Sequence, residues 1–517
     1  MKQYLLVALL SPTACVTAFA GQGAKRSQEK TVHRDKPNVV LIYADDLGYG
    51  DLECYGARNV LTPNVNRLAA SGVRFTNAHA VASTSTPSRY SMLTGDYAWK
   101  HPNTDIAAGN AGMIIRPERY TMADVFKNTG YVTGAVGKWH LGLGDKDGQQ
   151  DWNAPLPTAL GDLGFDYSYI MAATADRVPC VFIENGKVAN YDPTAPIKVS
   201  YSKPFPGEPL GKDHPELLYN LKSSFGHDMA IVNGIGRIGY MTGGGKALWK
   251  DENIADSITT HAVNFIRENR DRPFFLYFAT NDVHVPRFPH PRFRGNSMGL
   301  RGDAIVQFDW SVGQILDTLE KMGLRENTLV ILSSDNGPVV DDGYQDRAEE
   351  LLGGHKPAGP YRGGKYSAFE GGTCIPAIVS WPGQTVQAAV SDALVSQIDW
   401  FSSLASLVNA TLPEGAAPDS QNKMDTWLGK NNTDRTWVIE EAANHTLSVR
   451  TKNWKYIEPN DGPATDPWGK NESGNLSTPQ LYQMDVNVDE RTNVANKYPD
   501  KVYELQNILR HIRAEKQ

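Results

Sequence analysis

PNVVLIYADD, residues 37–46, is the segment that decides the fold class of this chain. Its apolar residues run without interruption from Val39 to Ala44 and are followed by two carboxylates, Asp45 and Asp46. Such a run is typical of a strand buried on both faces, and open α/β sheets bind their ligands at the carboxyl ends of such strands. The segment therefore predicts a central strand that delivers two carboxylates to a functional edge.

Helix and strand patterns alternate along the chain beyond this segment. Residues 62–72 (TPNVNRLAASG) predict a helix with Thr62 as its N-cap, Pro63 in its first turn and Gly72 at its end. Further strand-like runs continue the alternation at residues 131–137, 273–280, 328–337 and 375–383. This order predicts an α/β fold with a large doubly wound mixed sheet flanked by helices.

Two regions depart from the alternation. Residues 144–246 are rich in Pro, Gly and aromatic residues without clear periodicity, and we expect them to form loops over the functional edge. Past residue 428, three segments of alternating polarity precede a final helical pattern, which predicts a smaller C-terminal antiparallel sheet plus a helix. The predicted boundaries are 36–428 for a large α/β catalytic domain and 429–517 for an α+β subdomain.

The composition and the N-terminal residues limit the class of protein. The chain of 517 residues has a net charge of −7 and no basic stripe, so a nucleic-acid partner is not expected. Residues 1–20 predict a signal peptide, followed by a linker at 21–35, and no later segment resembles a transmembrane span. We therefore expect an exported protein, periplasmic or at the cell surface; Cys15 leaves a lipoprotein as the alternative. The other three cysteines lack metal-ligand spacing and are expected to be buried free thiols.

Oxygen-bearing side chains follow two of the predicted strands. Asp45 and Asp46 end the first strand, and Asp335 and Asn336 follow the run TLVILSS. Three carboxylates and an amide suit Ca²⁺ or Mg²⁺, whereas zinc prefers nitrogen and sulfur ligands. A helix cap at Asp46 and a turn at Asp335-Asn336 are the alternative interpretation, and the sequence leaves both open.

Five cationic or titratable side chains form a second group, and several of them also follow predicted strands: Arg89, Lys138, His140, His284 and Lys365. If they converge on the edge that carries the carboxylates, they can hold a tetrahedral oxyanion and stabilise the charge that develops during its transfer. For a lone Lys or His, a solvated surface position is the better interpretation, so their convergence carries the inference.

Residues 85–95, STPSRYSMLTG, carry a pattern that resembles a known signature. Ser85 is followed by Pro87 and Arg89 and then by Thr94-Gly95. This order resembles the type I, formylglycine-dependent sulfatases of the alkaline-phosphatase-like superfamily, in the Ser-type form found in bacterial carbohydrate sulfatases. Further matches follow in family order at residues 44–51, 62–69, 137–142, 333–337 and 363–372. The spacing selects Ser85 and leaves its hydroxyl neighbours as loop residues: Ser83, Thr84 and Thr86.

The resemblance implies a role for each matching residue. Ser85 would be oxidised to formylglycine (3-oxoalanine), whose hydrate attacks sulfur with one hydroxyl and expels sulfate with the other, so no sulfated serine has to be hydrolysed. One Ca²⁺ would be bound by Asp45, Asp46, Ser85, Asp335 and Asn336. Arg89 and Lys138 would polarise the diol, and His140 would take the proton of its second hydroxyl. His284 and Lys365, with Lys138, would contact the substrate and help to protonate the leaving alcohol.

The Ser-type signature further implies a partner, a radical S-adenosylmethionine maturase that acts before export. The predicted substrate is a sulfated carbohydrate, attacked by exo-acting desulfation, with sulfated galactose of host mucin-type glycans as the specific prediction. Asp176, Arg177 and His445 are the predicted sugar contacts, although exposed polar residues are common in loops that bind no ligand. A phosphate or phosphonate ester hydrolase of the same superfamily, and a non-catalytic sulfoglycan-binding protein with unmodified Ser85, are the alternatives.

Cys374 is a departure from the pattern of the resembled family. Many relatives carry an arginine at this position, two residues after Glu-Gly-Gly, where it would brace the loop that carries Lys365. Without that arginine, the sequence does not indicate which residues support the loop, although the expected chemistry is unaffected.

Overall fold

The computed structural model describes residues 36–515, and the predicted signal peptide, linker and Cys15 lie outside them. Its strands are β1 (Asn38–Ala44), β2 (Val73–Phe75), β3 (Ala78–His79), β4 (Val132–Lys138), β5 (Tyr167–Met171), β6 (Phe182–Glu184), β7 (Lys187–Val188), β8 (Lys198–Ser200), β9 (Ile231–Val232), β10 (Ile235–Gly236), β11 (Tyr240–Thr242), β12 (Phe274–Ala279), β13 (Thr328–Ser334), β14 (Ala377–Ser380), β15 (Ala389–Ser391), β16 (Val395–Ser396), β17 (Val438–Glu441), β18 (Leu447–Arg450), β19 (Trp454–Ile457) and β20 (Gln480–Gln483). Its α-helices are α1 (Pro63–Ala70), α2 (Ser85–Thr94), α3 (Met122–Asn128), α4 (Ile254–Glu268), α5 (Gly299–Lys321), α6 (Ala348–Leu351), α7 (Trp400–Leu407), α8 (Met424–Trp427) and α9 (Pro499–Ala514).

A ten-stranded mixed sheet in the order β15-β2-β14-β13-β1-β12-β4-β5-β6-β7 forms the centre of the molecule. Its middle strands, from β13 to β5, are parallel, whereas β14, β6 and β7 pair antiparallel with their neighbours. Two groups of helices flank the sheet. In the first, α5 contacts α1 and α4, and in the second, α2, α3 and α7 contact one another. The predicted large α/β sheet flanked by helices is confirmed.

The register of the central strands explains where the functional residues meet. Every residue of β1 is buried, as a strand covered on both faces requires. Ala44 of β1 pairs with Ser334 of β13, so Asp45 and Asp335 leave the sheet side by side. The residues that follow β1 and β13 therefore lie at one edge, as the sequence predicts.

Helix α1 forms where it is expected, but its ends differ from the prediction. Thr62 occupies the predicted N-cap position, but its hydroxyl makes no capping hydrogen bond and instead accepts the backbone N–H of Glu53 at 3.0 Å. The carboxylate of Asp309 in α5 instead accepts the N–H groups of Asn64 and Val65 at 3.2 and 2.8 Å. Gly72 does not end the helix in a left-handed conformation. It is needed because a Cβ there would lie 2.2 Å from the carbonyl oxygen of Val379.

The segment 144–246 contains more regular structure than its composition indicates. Strand β5 continues the parallel part of the central sheet beside β4. Strands β6 and β7 then extend the sheet in antiparallel pairing. The prediction of loops alone is therefore wrong for this part of the segment. Short strands of two to five residues carry too few alternating positions to be recognised in a sequence.

A separate four-stranded antiparallel sheet, β17-β18-β19-β20, and helix α9 complete the fold. Three alternating segments were expected, and the middle one forms the β18–β19 hairpin. Helix α9 buries Leu505, Leu509 and Ile512 against this sheet. The smaller antiparallel sheet plus helix is confirmed, while the boundary at 428/429 stays a prediction.

Two further expectations concern the described residues. Cys54, Cys180 and Cys374 are free thiols, the last two buried. None of the helices within residues 36–515 has the length and hydrophobicity of a membrane span.

Candidate active site

Helix α2 begins at Ser85 and is buried along its whole length. Ser85 lies at the end of the helix that faces the carboxyl edge of the sheet, and Thr84 before it is extended. Arg89 lies four residues later and so projects from the same face of the helix. Thr86 was predicted as a loop residue, which is wrong. It belongs to the first turn, and its hydroxyl donates to the carbonyl oxygen of His140 at 3.0 Å.

The hydroxyl of Ser85 sits between a cation and a carboxylate. Ser85 Oγ donates to Asp335 Oδ2 at 2.6 Å, and Lys138 Nζ donates to Ser85 Oγ at 2.7 Å. Arg89 donates to the same Asp335 oxygen from Nη2 at 2.8 Å and from Nε at 3.0 Å. The four side chains thus form one buried network around the atom that the signature marks as reactive.

The oxygen-rich side chains predicted to bind a metal converge beside Ser85. Asn336 Nδ2 donates to Asp46 Oδ1 at 2.8 Å, which turns Asn336 Oδ1 towards Ser85 Oγ, 3.3 Å away. Asp45 Oδ1 lies 3.5 Å from Ser85 Oγ, and Asp46 holds a left-handed φ of 57°. Buried carboxylate and amide oxygens on one point are the donor set that Ca²⁺ prefers, so these residues fit the predicted ion.

The pKa values of the buried carboxyl groups in this cluster depend on their mutual repulsion and on the cations beside them. Burial raises the pKa of Asp45, an effect that Lys138 reduces and Asp335 adds to. Burial also acts to raise the pKa of Asp335, but Arg89 and Lys138 overcome it and hold that pKa well below its usual range. Burial lowers the pKa of Lys138 itself. A cation among these carboxylates would relieve their mutual repulsion.

His140 is placed as a base. It has a left-handed φ of 59°, and its Nε2 lies 2.9 Å from the carbonyl oxygen of Ala107. Because a carbonyl only accepts, Nε2 carries the proton and Nδ1 is free to accept one. Nδ1 is buried and has no hydrogen-bond partner among the described residues. Burial, with smaller contributions from Lys138 and Arg177, lowers the pKa of His140 well below its ordinary value, so the ring is neutral.

Lys365 and His284 form a second pair beside Asp46. Lys365 Nζ donates to Asp46 Oδ2 at 2.8 Å and to Asp342 Oδ2 at 3.0 Å, and it lies 3.2 Å from His284 Nε2. His284 Nδ1 donates to the carbonyl oxygen of Val285 at 2.6 Å, which leaves Nε2 to accept from Lys365. Burial opposes the charge on Lys365, but Asp342 and Asp46 raise its pKa well above its ordinary value.

A cavity of about 250 Å³ joins these groups, lined by Thr84, Ser85, Ile106, His140, Asp176, Arg177, Phe225, His227, Ile238, His284, Asp342, Lys365, Tyr366 and Trp468. A larger cavity of about 1090 Å³ lies beside it, but it contains none of the predicted site residues. The smaller cavity is therefore the candidate active site.

Two of the three predicted sugar contacts line this cavity. Asp176 Oδ1 pairs with Arg177 Nη1 at 3.1 Å, and Asp176 Oδ2 pairs with His227 Nε2 at 3.0 Å. His445 is not among the lining residues. It is exposed and pairs with Asp105 and Glu441 at 3.3 and 2.9 Å.

Among the lining residues that sequence reasoning missed are His227, Asp342 and Trp468. His227 comes from the segment 144–246, where it is an isolated histidine without a motif. Asp342 follows Asn336 by six residues and could have been noticed as part of an acidic pair after a functional strand. Trp468 lies in an irregular segment of the C-terminal part, where nothing in the sequence marks it.

Comparisons with known proteins agree with this geometry. The profile of the sulfatase family matches residues 37–410. An N-acetylgalactosamine-6-O-sulfatase of Bacteroides thetaiotaomicron is 52% identical over 499 residues, which cover 96% of this chain and 97% of that relative. A steryl-sulfatase of Rattus norvegicus is 33% identical over 464 residues, 83% of this chain and 78% of the relative.

One solved structure is similar over nearly the whole described chain. It comes from work on the metabolism of multiple glycosaminoglycans by Bacteroides thetaiotaomicron. The two structures superpose with a TM-score of 0.91 at 53% sequence identity, and the match covers 93% of this chain and 100% of that one. The predicted enzyme class is confirmed. The chain belongs to the sulfatase family and is a sulfuric ester hydrolase.

Proposed function

We propose that this enzyme removes the 6-O-sulfate from a terminal N-acetylgalactosamine residue of a sulfated glycan. The observation that carries the chemistry is the position of Ser85 Oγ between Lys138 and Asp335, in the cavity to which the neutral His140 also belongs. The sugar is inferred from the 52% identical relative that is named for N-acetylgalactosamine-6-O-sulfate. This sugar shares its ring configuration with the sulfated galactose expected from the sequence.

The size of the cavity supports action on one terminal sugar. At about 250 Å³ it lies near the lower end of small-molecule sites, which begin at roughly 300 Å³. A single sulfated sugar fits such a volume better than a continuous chain does. The paired side chains of Asp176, Arg177 and His227 form a polar wall that can bind sugar hydroxyls.

Residue 85 would act as formylglycine. As its hydrate, it would supply two hydroxyls on one carbon, one to attack sulfur and one to expel sulfate by breaking a carbon–oxygen bond. Nδ1 of His140 is buried and has no hydrogen-bond partner among the described residues, and His140 lines the same cavity as Ser85. The hydrate would carry a second hydroxyl, which serine lacks, as a partner for this nitrogen. We also propose that a radical S-adenosylmethionine maturase makes this change before export by the signal peptide at 1–20.

A calcium ion would be held by the oxygens of Asp45, Asp46, Asp335 and Asn336 together with residue 85. When bound, it would supply positive charge next to the sulfate oxygens.

The protein side chains divide the remaining work. Lys138 and Arg89 hold the reacting oxygen and the carboxylate of Asp335 in place. His140 accepts a proton at Nδ1, because its Nε2–H donates a hydrogen bond to the carbonyl oxygen of Ala107. Lys365 is kept protonated and contacts His284 Nε2, so this pair binds sulfate oxygens and passes a proton to the leaving alcohol.

A panel of monosulfated sugars tests this function. Sulfate release is measured from the 6-sulfates of N-acetylgalactosamine, galactose and N-acetylglucosamine, from N-acetylgalactosamine 4-sulfate, and from a matching phosphate ester. We expect the highest kcat/KM with N-acetylgalactosamine 6-sulfate. Faster turnover of the N-acetylglucosamine sulfate or of the phosphate ester would refute the proposal.

The role of Ser85 is tested separately. The Ser85→Ala variant should lose at least ~10³-fold in kcat while it keeps its fold, as measured by circular dichroism. In protein from the native host, mass spectrometry of the peptide that contains Ser85 should show a loss of two hydrogens. Unchanged activity of Ser85→Ala would contradict the mechanism.

A further inference from the structure

Trp468 is a large apolar side chain exposed at the active site. It is 47% exposed, although it lines the cavity that contains Ser85. Its indole packs beside the ring of Tyr366 at 5.2 Å between centroids, with the planes tilted by 49°. Tyr366 in turn follows Lys365 and donates its hydroxyl to Asp342 at 3.2 Å. The indole thus packs on the loop that carries Lys365, and its exposed part remains open to a ligand.

The loop that carries Trp468, residues 464–473, is held rigidly by one buried carboxylate. Asp466 accepts the backbone N–H groups of Trp468, Gly469 and Asn471 at 3.0, 2.6 and 2.7 Å. The N–H of Asp466 donates to the carbonyl oxygen of Asn471 at 2.9 Å, which closes the loop on itself. An aromatic side chain fixed in this way binds a ligand without an additional cost in loop ordering.

The same loop is attached directly to the catalytic machinery. Asn471 Nδ2 donates to the carbonyl oxygen of Lys365 at 3.0 Å. Lys470 Nζ pairs with Asp341 at 2.6 Å, next to the Asp342 that binds Lys365. The position of Trp468 is therefore fixed relative to the residues that are proposed to bind the sulfate group.

We propose that Trp468 is the sugar-stacking residue of this enzyme and packs against the ring of the sulfated sugar itself. The inference rests on the proposed function for the identity of the sugar. In galacto-configured sugars the axial 4-hydroxyl leaves the C–H groups of C3, C4 and C5 together on one face, and such an apolar face packs on an aromatic ring. The polar wall of Asp176, Arg177 and His227 would then face hydroxyls while Trp468 covers the apolar face.

The test compares Trp468→Ala and Trp468→Phe with the wild type on monomeric N-acetylgalactosamine 6-sulfate. Tyr503→Ala serves as the matched control, because Tyr503 is an aromatic residue 61% exposed that does not line the cavity. We expect KM to rise about tenfold in Trp468→Ala, with kcat changed by less than about threefold, since stacking binds substrate and transition state alike. Trp468→Phe should restore most of the affinity, and the control should match the wild type. Thermal denaturation of every variant confirms that the fold is retained.

Three results would overturn the inference. The first is an unchanged KM in Trp468→Ala. The second is a rise in KM that appears only with a longer oligosaccharide, which would place the contact on a neighbouring sugar. The third is an equal loss in the Ala and Phe variants with lowered thermal stability, which would give Trp468 a structural role only. If the wild type prefers another sulfated sugar, the proposed function fails, and the same KM comparison with that sugar still decides the role of Trp468.

Discussion

Replacing Glu490 by glutamine is expected to stabilise the protein increasingly as the pH rises from 5 to 8. Glu490 is fully buried, Oε2 accepts the N–H of Glu370 at 2.7 Å, and Oε1 has no hydrogen-bond partner among the described residues. Burial, with the nearby charges of Glu370 and Glu440 and against that of Lys455, raises the pKa of Glu490 from 4.5 to about 8. In the unfolded chain the same carboxyl ionises at its ordinary pKa.

The sign of the effect follows from proton binding. Between pH 4.5 and pH 8 the folded protein holds a proton on Glu490 that the unfolded chain has released, so this residue lowers stability as the pH rises through that window. The amide of the Glu490→Gln variant cannot ionise and keeps the shape of the protonated acid. The stability of this variant relative to the wild type should therefore increase by about 3 kcal/mol between pH 5 and pH 8.

Urea unfolding at pH 5, 6, 7 and 8, followed by tryptophan fluorescence, measures this difference. Glu504→Gln is the control, because that side chain is 58% exposed and its one salt bridge within residues 36–515 is the i,i+3 pair with Lys501. Its stability relative to the wild type should not depend on pH. Parallel stability curves for Glu490→Gln and the wild type would refute the reasoning, since they would mean that Glu490 is ionised in the folded protein.

Two other predictions concern the metal site and the second sheet. Chelation should abolish sulfatase activity and lower the Tm, and Ca²⁺ at ~100 times its Kd should restore both, with a gain of about 2.7 kcal/mol in the free energy of unfolding. A Tm unaffected by EDTA and Ca²⁺ would contradict the assignment of the oxygen cluster as a calcium site. Arg450→Met should destabilise the protein by about 3 kcal/mol in urea unfolding, because it removes the guanidinium that pairs with the buried Glu370 at 2.8 Å and leaves Lys455, at 3.2 Å, to offset that charge. Combining it with Glu370→Gln should recover part of that loss, and additive losses in the double variant would argue against a direct interaction.

The carboxylates of the site could be predicted because they depend on local features of strands. An uninterrupted apolar run identifies β1 and β13, and parallel strands of one sheet place their carboxyl ends together. Asp45 and Asp335 follow those runs directly, which predicts that they lie at the same edge; that β1 and β13 are neighbouring strands comes from the structure. The helix that begins at Ser85 was not foreseen, since α2 contains Pro87 and three serines and lacks a clear apolar stripe.

The residues proposed to face the sugar could not be predicted in the same way. His227 meets Asp176 across a separation of 51 residues within a segment of short strands and turns. Asp342 and Trp468 reach the cavity from irregular segments whose course depends on tertiary contacts. Loops of this kind have no periodicity that encodes their direction, so a sequence can indicate that they determine specificity but not which side chains do so.

The support of the Lys365 loop shows how the C-terminal sheet contributes to the active site. Cys374 cannot brace this loop as an arginine would, but Glu370 is bound by Arg450 of β18 at 2.8 Å and by Lys455 of β19 at 3.2 Å. Buried ion pairs contribute little net stability compared with apolar packing, yet they fix the geometry of the groups they join. Because Glu370 lies five residues after Lys365, we infer that these two cations hold the loop in the position in which Lys365 reaches Asp46. The part of the chain after residue 428 would then help to position Lys365, in agreement with the contact between Asn471 and the carbonyl oxygen of Lys365.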